Sequence, residues 1–183
     1  MNASRRRLSP WILGAIASLG IAFASSADAA SLRGQASAAS RSGLRVFAAL
    51  VTDPDWARRW AGRSPGVSFH STDTLFAGQR GTIVLLFSNP TLKNGRAQLA
   101  CDVTVRDAAT GSVSRISPQT CFSGPIKRPR NLYLTSVGVN LSEDANSRRG
   151  LIRVDAGITD LNSGVRVPVS LAIMGDPSSP RRK

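Results

Sequence analysis

Residues 150–173 read GLIRVDAGITDLNSGVRVPVSLAI, and this stretch decides the fold class. Apolar and polar residues alternate along 151–159 and again along 165–173, which is the period-two pattern of a strand with one buried face. The residues between the two runs, DLNSG at 160–164, have turn composition. The stretch therefore predicts a β-hairpin. Pro168 lies on its outward-facing register, so we expect the second strand to be a sheet edge or to carry a bulge.

Strand patterns continue towards the amino terminus. TIVLLFSN at 82–89 is a nearly continuous apolar run, typical of a strand buried on both faces, and 97–106 alternates so that Cys101 points inward. Further runs with strand composition lie at 46–51, 67–76, 112–116 and 131–141. Seven or eight short strands separated by turns predict a sandwich or a barrel.

The hairpin at 150–173 resembles the final hairpin of immunoglobulin-like β-sandwich modules of bacterial envelope proteins, because its first strand opens after Gly150 and its turn begins at Asp160. The resemblance implies an all-β, immunoglobulin-like antiparallel sandwich of seven to eight strands over residues 44–175. It implies no activity, since such modules serve as adhesins, chaperones, inhibitors and assembly subunits.

The amino terminus has the pattern of a secretory signal peptide over residues 1–29. Three arginines at 5–7 precede an uncharged apolar run at 11–24, and Ala27-Asp28-Ala29 offers a cleavage site between small residues. The alternative is a membrane anchor, since 8–27 carries no charge and is long enough to cross a bilayer. We predict a periplasmic or secreted protein with no membrane span after removal of the signal.

The segments flanking the predicted domain are small and polar. Residues 30–43 include SLRGQASAASRS, which lacks apolar periodicity and predicts a flexible lead-in. Residues 176–183, DPSSPRRK, predict a disordered basic tail.

A short amino-terminal helix is predicted within VTDPDWARRWAG at 51–62. Asp53 caps it and Pro54 suits its first position. Four-residue spacing then places Trp56 and Trp60 on one side, while Arg58 and Arg59 face elsewhere. The tryptophans are predicted to plug one end of the core. A surface aromatic patch for a sugar or a partner is the alternative.

The chain is strongly basic, with 24 Lys and Arg against 11 Asp and Glu. Removal of residues 1–29 would take away three arginines and one aspartate, so the excess of positive charge belongs to the remaining chain. Such a field favours an anionic partner. The alternative is codon bias, since 21 of the 24 basic residues are arginine.

Three basic groups fall in predicted loops or at helix ends, where binding residues are common. Lys127, Arg128 and Arg130 form the first group, Arg148 and Arg149 the second, and Arg58 and Arg59 the third. If the first two groups met at one end of the sandwich, they would form a rim able to bind phosphate or carboxylate groups. Otherwise each is a solvated turn.

Catalytic and metal-binding patterns find little support. Cys101 and Cys121 are predicted to form a disulfide in an exported chain, and the single histidine, His70, belongs to no zinc-binding spacing. The G-x-S-x-G match at 62–66 places Pro65, which has no N–H, where a nucleophile elbow needs an oxyanion donor. Asp102 and Asp155 lie on outward strand faces, where cross-strand pairs with arginine are expected.

The sequence therefore predicts a non-enzymatic envelope module that needs no cofactor or metal. It would bind an acidic protein or an anionic envelope polymer through arginine-bearing loops. Nucleic acid is disfavoured by the predicted compartment and by the scarcity of aromatic residues, at 5%. The alternative function is a structural or assembly subunit that pairs through an edge strand at 165–173.

Overall fold

The computed structural model describes residues 31–34, 36–61, 68–143 and 149–178. It is an all-β structure with one short helix, α1 (Trp56–Ala61). The predicted signal peptide and the G-x-S-x-G match lie outside the described residues. No helix in the described part is long and apolar enough to cross a membrane.

In the described ranges, eleven strands form two sheets that enclose the main core. The first sheet has the order β1-β4-β3-β6-β9, with β2 also paired to β3, and the second has the order β5-β11-β10-β7-β8. The strand bounds are β1 Ser31–Gly34, β2 Ala36–Arg41, β3 Leu44–Val51, β4 Ser68–Thr72, β5 Thr74–Phe76, β6 Arg80–Ser88, β7 Arg96–Asp107, β8 Ser112–Pro125, β9 Tyr133–Ser142, β10 Gly150–Asp160 and β11 Arg166–Asp176.

The core forms because each central strand alternates buried and exposed residues. Along β7 every second residue from Ala97 to Asp107 is buried, and β11 alternates in the same way from Val167. In the first sheet, β3 contributes Leu44, Val46, Ala48 and Leu50 to the same core. β6 is buried almost throughout because both of its faces are covered.

The terminal hairpin is present as predicted. β10 and β11 pair in register from Gly150 with Gly175 to Thr159 with Arg166. β11 is not the outermost strand, however, because β5 pairs with its last three residues and β2 packs beside it. Pro168 pairs with Gly157 without a bulge. On the other side of β11, β5 pairs only with residues 174–176, so among the described strands none needs an N–H from Pro168, and proline is tolerated there.

The structure contains more strands than the seven or eight expected, for two reasons. Residues 30–43 are not a flexible lead-in in the described part, since β1 and β2 lie there and β2 pairs with β3 from Ala36 to Arg41. A two-residue turn with positive φ at Ser42 and Gly43 closes that hairpin. The predicted strand at 67–76 is also divided at Asp73 into β4 and β5, which belong to different sheets.

The carboxyl-terminal boundary also differs from the prediction of a tail that starts at residue 176. Asp176 is the last residue of β11, and its side chain accepts a hydrogen bond from the Ser178 backbone N–H at 3.0 Å. Residues 179–183 lie outside the described part.

Candidate functional site

The strand registers place the predicted basic groups at opposite ends of the sandwich. The loop carrying Lys127 follows β8, whose last residue, Pro125, pairs with Arg96 at the start of β7. Arg149 precedes β10, whose Ile152 pairs with Asp107 at the end of β7. A strand of this length separates its two ends by roughly 35 Å. The rim expected from Lys127, Arg128 and Arg130 together with Arg149 therefore does not form, and Arg148 lies outside the described residues.

The end of the sandwich at Arg96 is basic by a different combination of residues. Four loops and their flanking residues meet there, at 41–45, 89–96, 126–132 and 160–165. We call this surface the basic end. Its exposed basic residues are Arg41, Arg45, Lys93, Arg96, Lys127, Arg128 and Arg130.

Hydrogen bonds connect three of these loops. The backbone N–H of Asn89 donates to the carbonyl of Pro129, and the Asn89 side chain donates to the carbonyl of Gly43 at 3.0 Å. Asn89 itself has a positive φ of 56°, a conformation that asparagine tolerates better than most residues. The Ile126 N–H donates to the carbonyl of Gly95, also at 3.0 Å. The basic side chains are thus carried on loops held relative to one another.

Asp160 joins the fourth loop to the others. It is fully buried, and its carboxylate accepts the N–H of Thr91 at 2.7 Å and that of Asn162 at 2.9 Å. The Asn162 side chain then donates to the carbonyls of Thr91 and Arg96, at 2.9 and 3.0 Å. Asp160 was predicted only as a turn residue, and the structure makes it the support of the basic end.

The acidic residues in the described ranges lie elsewhere, apart from Asp160. Two of them, Asp102 and Asp155, form ion pairs with arginines on the outer face of the second sheet. Asp102 receives two hydrogen bonds from one Arg166 nitrogen, at 2.8 and 3.1 Å, and Asp155 is paired with Arg106 and Arg153. The pairs of Asp102 with Arg166 and of Asp155 with Arg106 join different strands, as predicted, whereas Arg153 is on the same strand as Asp155. The charge of the basic end is not matched by exposed carboxylates of the described chain.

The Asp155 pKa responds to this network. Partial burial by itself raises the pKa, but hydrogen bonds from Ser170, Arg153 and Arg106 outweigh it and hold the pKa below its ordinary value of 3.8. Asp155 therefore stays ionised at neutral pH and remains paired with Arg106 and Arg153.

Helix α1 covers the outer face of the first sheet. Trp56 and Trp60 are half-buried and pack on a second apolar cluster, made of Ala49, Val51, Val84 and Leu86. The tryptophans therefore point towards the protein as predicted, but they cover a sheet face and do not plug an end of the main core. The reason is that β3 and β6 carry apolar residues on both faces, and the outer face needs a cover.

Arg58 and Arg59 are exposed and form ion pairs with the acidic residues that precede the helix. Arg58 pairs with Asp55 at 2.8 Å and is 79% exposed, and Arg59 pairs with Asp53. The helix follows β3 at the end that carries Thr82 and Asn140, so these arginines are not part of the basic end.

The predicted disulfide is present. Cys101 of β7 and Cys121 of β8 are bonded, with their Cα atoms 5.6 Å apart, and both are buried. Cys121 is the extra residue of a β-bulge, since Leu99 pairs with Phe122 and Ala100 with Thr120. The bond fixes this bulge to the central strand.

Within the described ranges no group of three or more His, Cys, Asp or Glu side chains could hold a metal ion. Ser64 lies outside those ranges, and of His70 only the backbone, in β4, is described.

Comparisons with known proteins give no family for the chain. No family model matches it, and no curated protein matches it. Among solved structures it is similar to an alkylpurine DNA glycosylase from Pseudomonas fluorescens bound to abasic-site DNA, at 12% identity and a TM-score of 0.36 over 57% of this chain and 28% of that chain.

Two further structures show similarity of the same order. A family 123 glycoside hydrolase from Clostridium perfringens is 8% identical over 71% of this chain and 27% of that chain, with a TM-score of 0.38. The structural genomics target SoR45 is 12% identical over 79% of this chain and 95% of that chain, with a TM-score of 0.33. The chain spans about a quarter of the length of the two enzymes.

Proposed function

We propose that the protein is an exported, non-enzymatic interaction module of the cell envelope that binds an anionic partner, an acidic protein or an anionic polymer, at the basic end. The observation that carries the proposal is the collection of exposed basic side chains on the linked loops 41–45, 89–96 and 126–132. Arginine and lysine on preorganised loops bind carboxylate or phosphate with little loss of conformational freedom.

The surroundings of the site support the same function. The only described acidic residue at this end is buried and bonded to backbone N–H groups, so it does not compete for the cations. Basic residues that are ion-paired, such as Arg106 and Arg166, lie on another face. The disulfide suits an oxidising compartment outside the cytoplasm. We also propose that the two-sheet structure is an immunoglobulin-like sandwich, on the strength of its terminal hairpin β10–β11.

The test is binding to inorganic polyphosphate and to polyglutamate, which offer phosphate and carboxylate on flexible chains. The variant Lys93→Ser/Lys127→Ser/Arg130→Ser removes exposed cations of the basic end. The control Arg58→Ser/Arg80→Ser/Arg115→Ser removes the same charge from exposed positions elsewhere.

Wild type and control should bind at low salt and lose affinity as salt increases, and the basic-end variant should bind more weakly than both. Equal affinity of the two variants would mean that only net charge matters, and the proposal would then be wrong.

A further inference from the structure

An open groove lies between the edge strands of the two sheets, directly beside the loop that carries Lys127, Arg128 and Arg130. It has a volume of about 360 Å³ and is shallow and open to solvent. β8 is paired only with β7, and β9 only with β6, among the described strands. The groove is lined by Thr120, Cys121, Phe122 and Ser123 of β8 and by Leu134, Thr135 and Ser136 of β9.

Two bulges face each other across this groove. On β8 the bulge is at Cys121, and on β9 residues 135–137 stand opposite Leu85 alone. The Thr135 hydroxyl lies 3.0 Å from the carbonyls of both Leu85 and Val137, so its one proton can be donated to either of them inside the bulge. The Ser136 hydroxyl donates to the Cys121 carbonyl at 3.1 Å. This hydrogen bond links β8 and β9, although no main-chain ladder joins the two strands.

The groove and the basic loop are parts of one continuous surface. Residues 126–132 connect the two strands that line the groove, so one end of the groove opens onto the cations of that loop. Phe122 also contacts Tyr133 edge-on, with ring centroids 6.1 Å apart, and the Tyr133 hydroxyl donates to the carbonyl of Arg128 at 2.9 Å. The position of the loop is thereby tied to the floor of the groove.

We propose that this groove binds one extended, acidic peptide segment of a partner protein. The inference rests on the proposed function and names the class of its partner. Two features select a peptide. On the basic-end side of the bulges, Phe122–Pro125 and Tyr133–Leu134 keep a regular register with β7 and β6. The outer flank of an edge strand offers main-chain carbonyls and, except at Pro125, N–H groups to an added strand. The charge of the adjoining loop requires acidic residues in the segment that leaves the groove.

A polyanion without peptide groups would bind only the cations of the loop and would not pair with the main chain of the edge strands. The bulges also limit the length of added strand, since regular pairing is interrupted at 120–122 and at 135–137. The bound segment therefore has a short paired part next to an acidic part, and does not form a long intermolecular sheet.

The test measures binding of the full-length protein to a synthetic peptide of alternating valine and threonine with a run of glutamates at one end. The peptide is made in both orientations. An analogue N-methylated along the Val-Thr part keeps every charge but loses main-chain donors. If two hydrogen bonds are lost, the analogue should bind about tenfold more weakly. Polyphosphate serves as the polyanion without peptide groups.

A protein variant gives an independent measurement. Ser123→Trp places a large side chain at an exposed residue that lines the groove, and Ala172→Trp places the same side chain on the exposed outer face of the second sheet. Ser123→Trp should weaken peptide binding and leave polyphosphate binding unchanged, while Ala172→Trp should affect neither.

Equal affinity for the methylated and unmethylated peptides, together with no effect of Ser123→Trp, would overturn the peptide groove and leave a basic end that responds to charge alone, as for a polymer. Failure of wild type to bind either the peptide or polyphosphate at low salt would overturn both this inference and the proposed function.

Discussion

Replacement of Asp160 should disrupt the support of the basic end. The carboxylate is fully buried and accepts two backbone N–H groups, from Thr91 and Asn162. A hydrogen bond to a charged group contributes about 1.5–3 kcal/mol, so Asp160→Ala should reduce the free energy of unfolding by about 3–5 kcal/mol, a large part of the stability of an ordinary domain. Asp160→Asn keeps one acceptor but places an NH₂ group against the other N–H. It should cost about half as much.

Urea unfolding measures both losses, and the slope of the free energy against urea should stay unchanged if only the native state is affected. Hydrogen exchange at the Thr91 and Asn162 amides gives the local result, and both should exchange faster in the alanine variant. A loss below about 1 kcal/mol for Asp160→Ala, or full stability of Asp160→Asn, would refute the role given to these two bonds.

Three further predictions concern the disulfide, a bulge and an ion-paired carboxylate. The Cys101–Cys121 bond closes a segment with a sequence separation of 20, and its reduction should lower the free energy of unfolding by about 3.3 kcal/mol on the chain-entropy model. Urea unfolding with and without reductant measures this loss. The control variant Cys101→Ala/Cys121→Ala should not respond to reductant. Thr135→Val removes the hydroxyl from the buried Leu85 carbonyl and should cost about 1–3 kcal/mol by the same assay, while Thr135→Ser should cost less. The Asp155 pKa is lowered in the folded protein, so the contribution of Asp155 to stability is present above the ordinary value of 3.8 and is lost as pH falls through the folded pKa. The stability of Asp155→Asn should therefore fall less steeply with decreasing pH than that of wild type, as acid unfolding measures. Identical profiles would contradict the lowered pKa of Asp155.

The strands were predictable from the sequence where one face of the strand is buried and the other is exposed to solvent. β7, β10 and β11 alternate over nearly their whole length, so their positions follow from the sequence within one to three residues. The two strands formed before Gly43 could not be predicted in the same way. Residues 36–41 are only alanine, serine and arginine, and β2 forms because β3 offers a backbone partner and a Ser-Gly turn closes the hairpin.

The carboxyl-terminal half of β8 was missed for a related reason. Residues 117–120 are polar and include Pro118. Only Gln119 and Thr120 pair with β7, between two register shifts, and Ser117 and Pro118 have no partner in the ladder. Bulges are set by the partner strand and leave no periodic signal in their own sequence.

The candidate site was only partly predictable. Lys127, Arg128 and Arg130 could be identified as exposed loop cations, and they are. Their expected companion Arg149 lies at the other end, whereas Lys93 and Arg96 lie beside them, because the order of strands in a sheet decides which loops meet. Single-sequence patterns give strands and turns but not that order.

Anion binding at the basic end can be located by NMR, from the chemical-shift changes that polyphosphate causes in isotopically labelled protein. The largest changes should fall on the amides of 41–45, 89–96 and 126–132, and they should decrease as salt increases. Changes concentrated on α1, around Arg149, or spread evenly over the outer face of the second sheet would contradict an anion-binding site at the basic end.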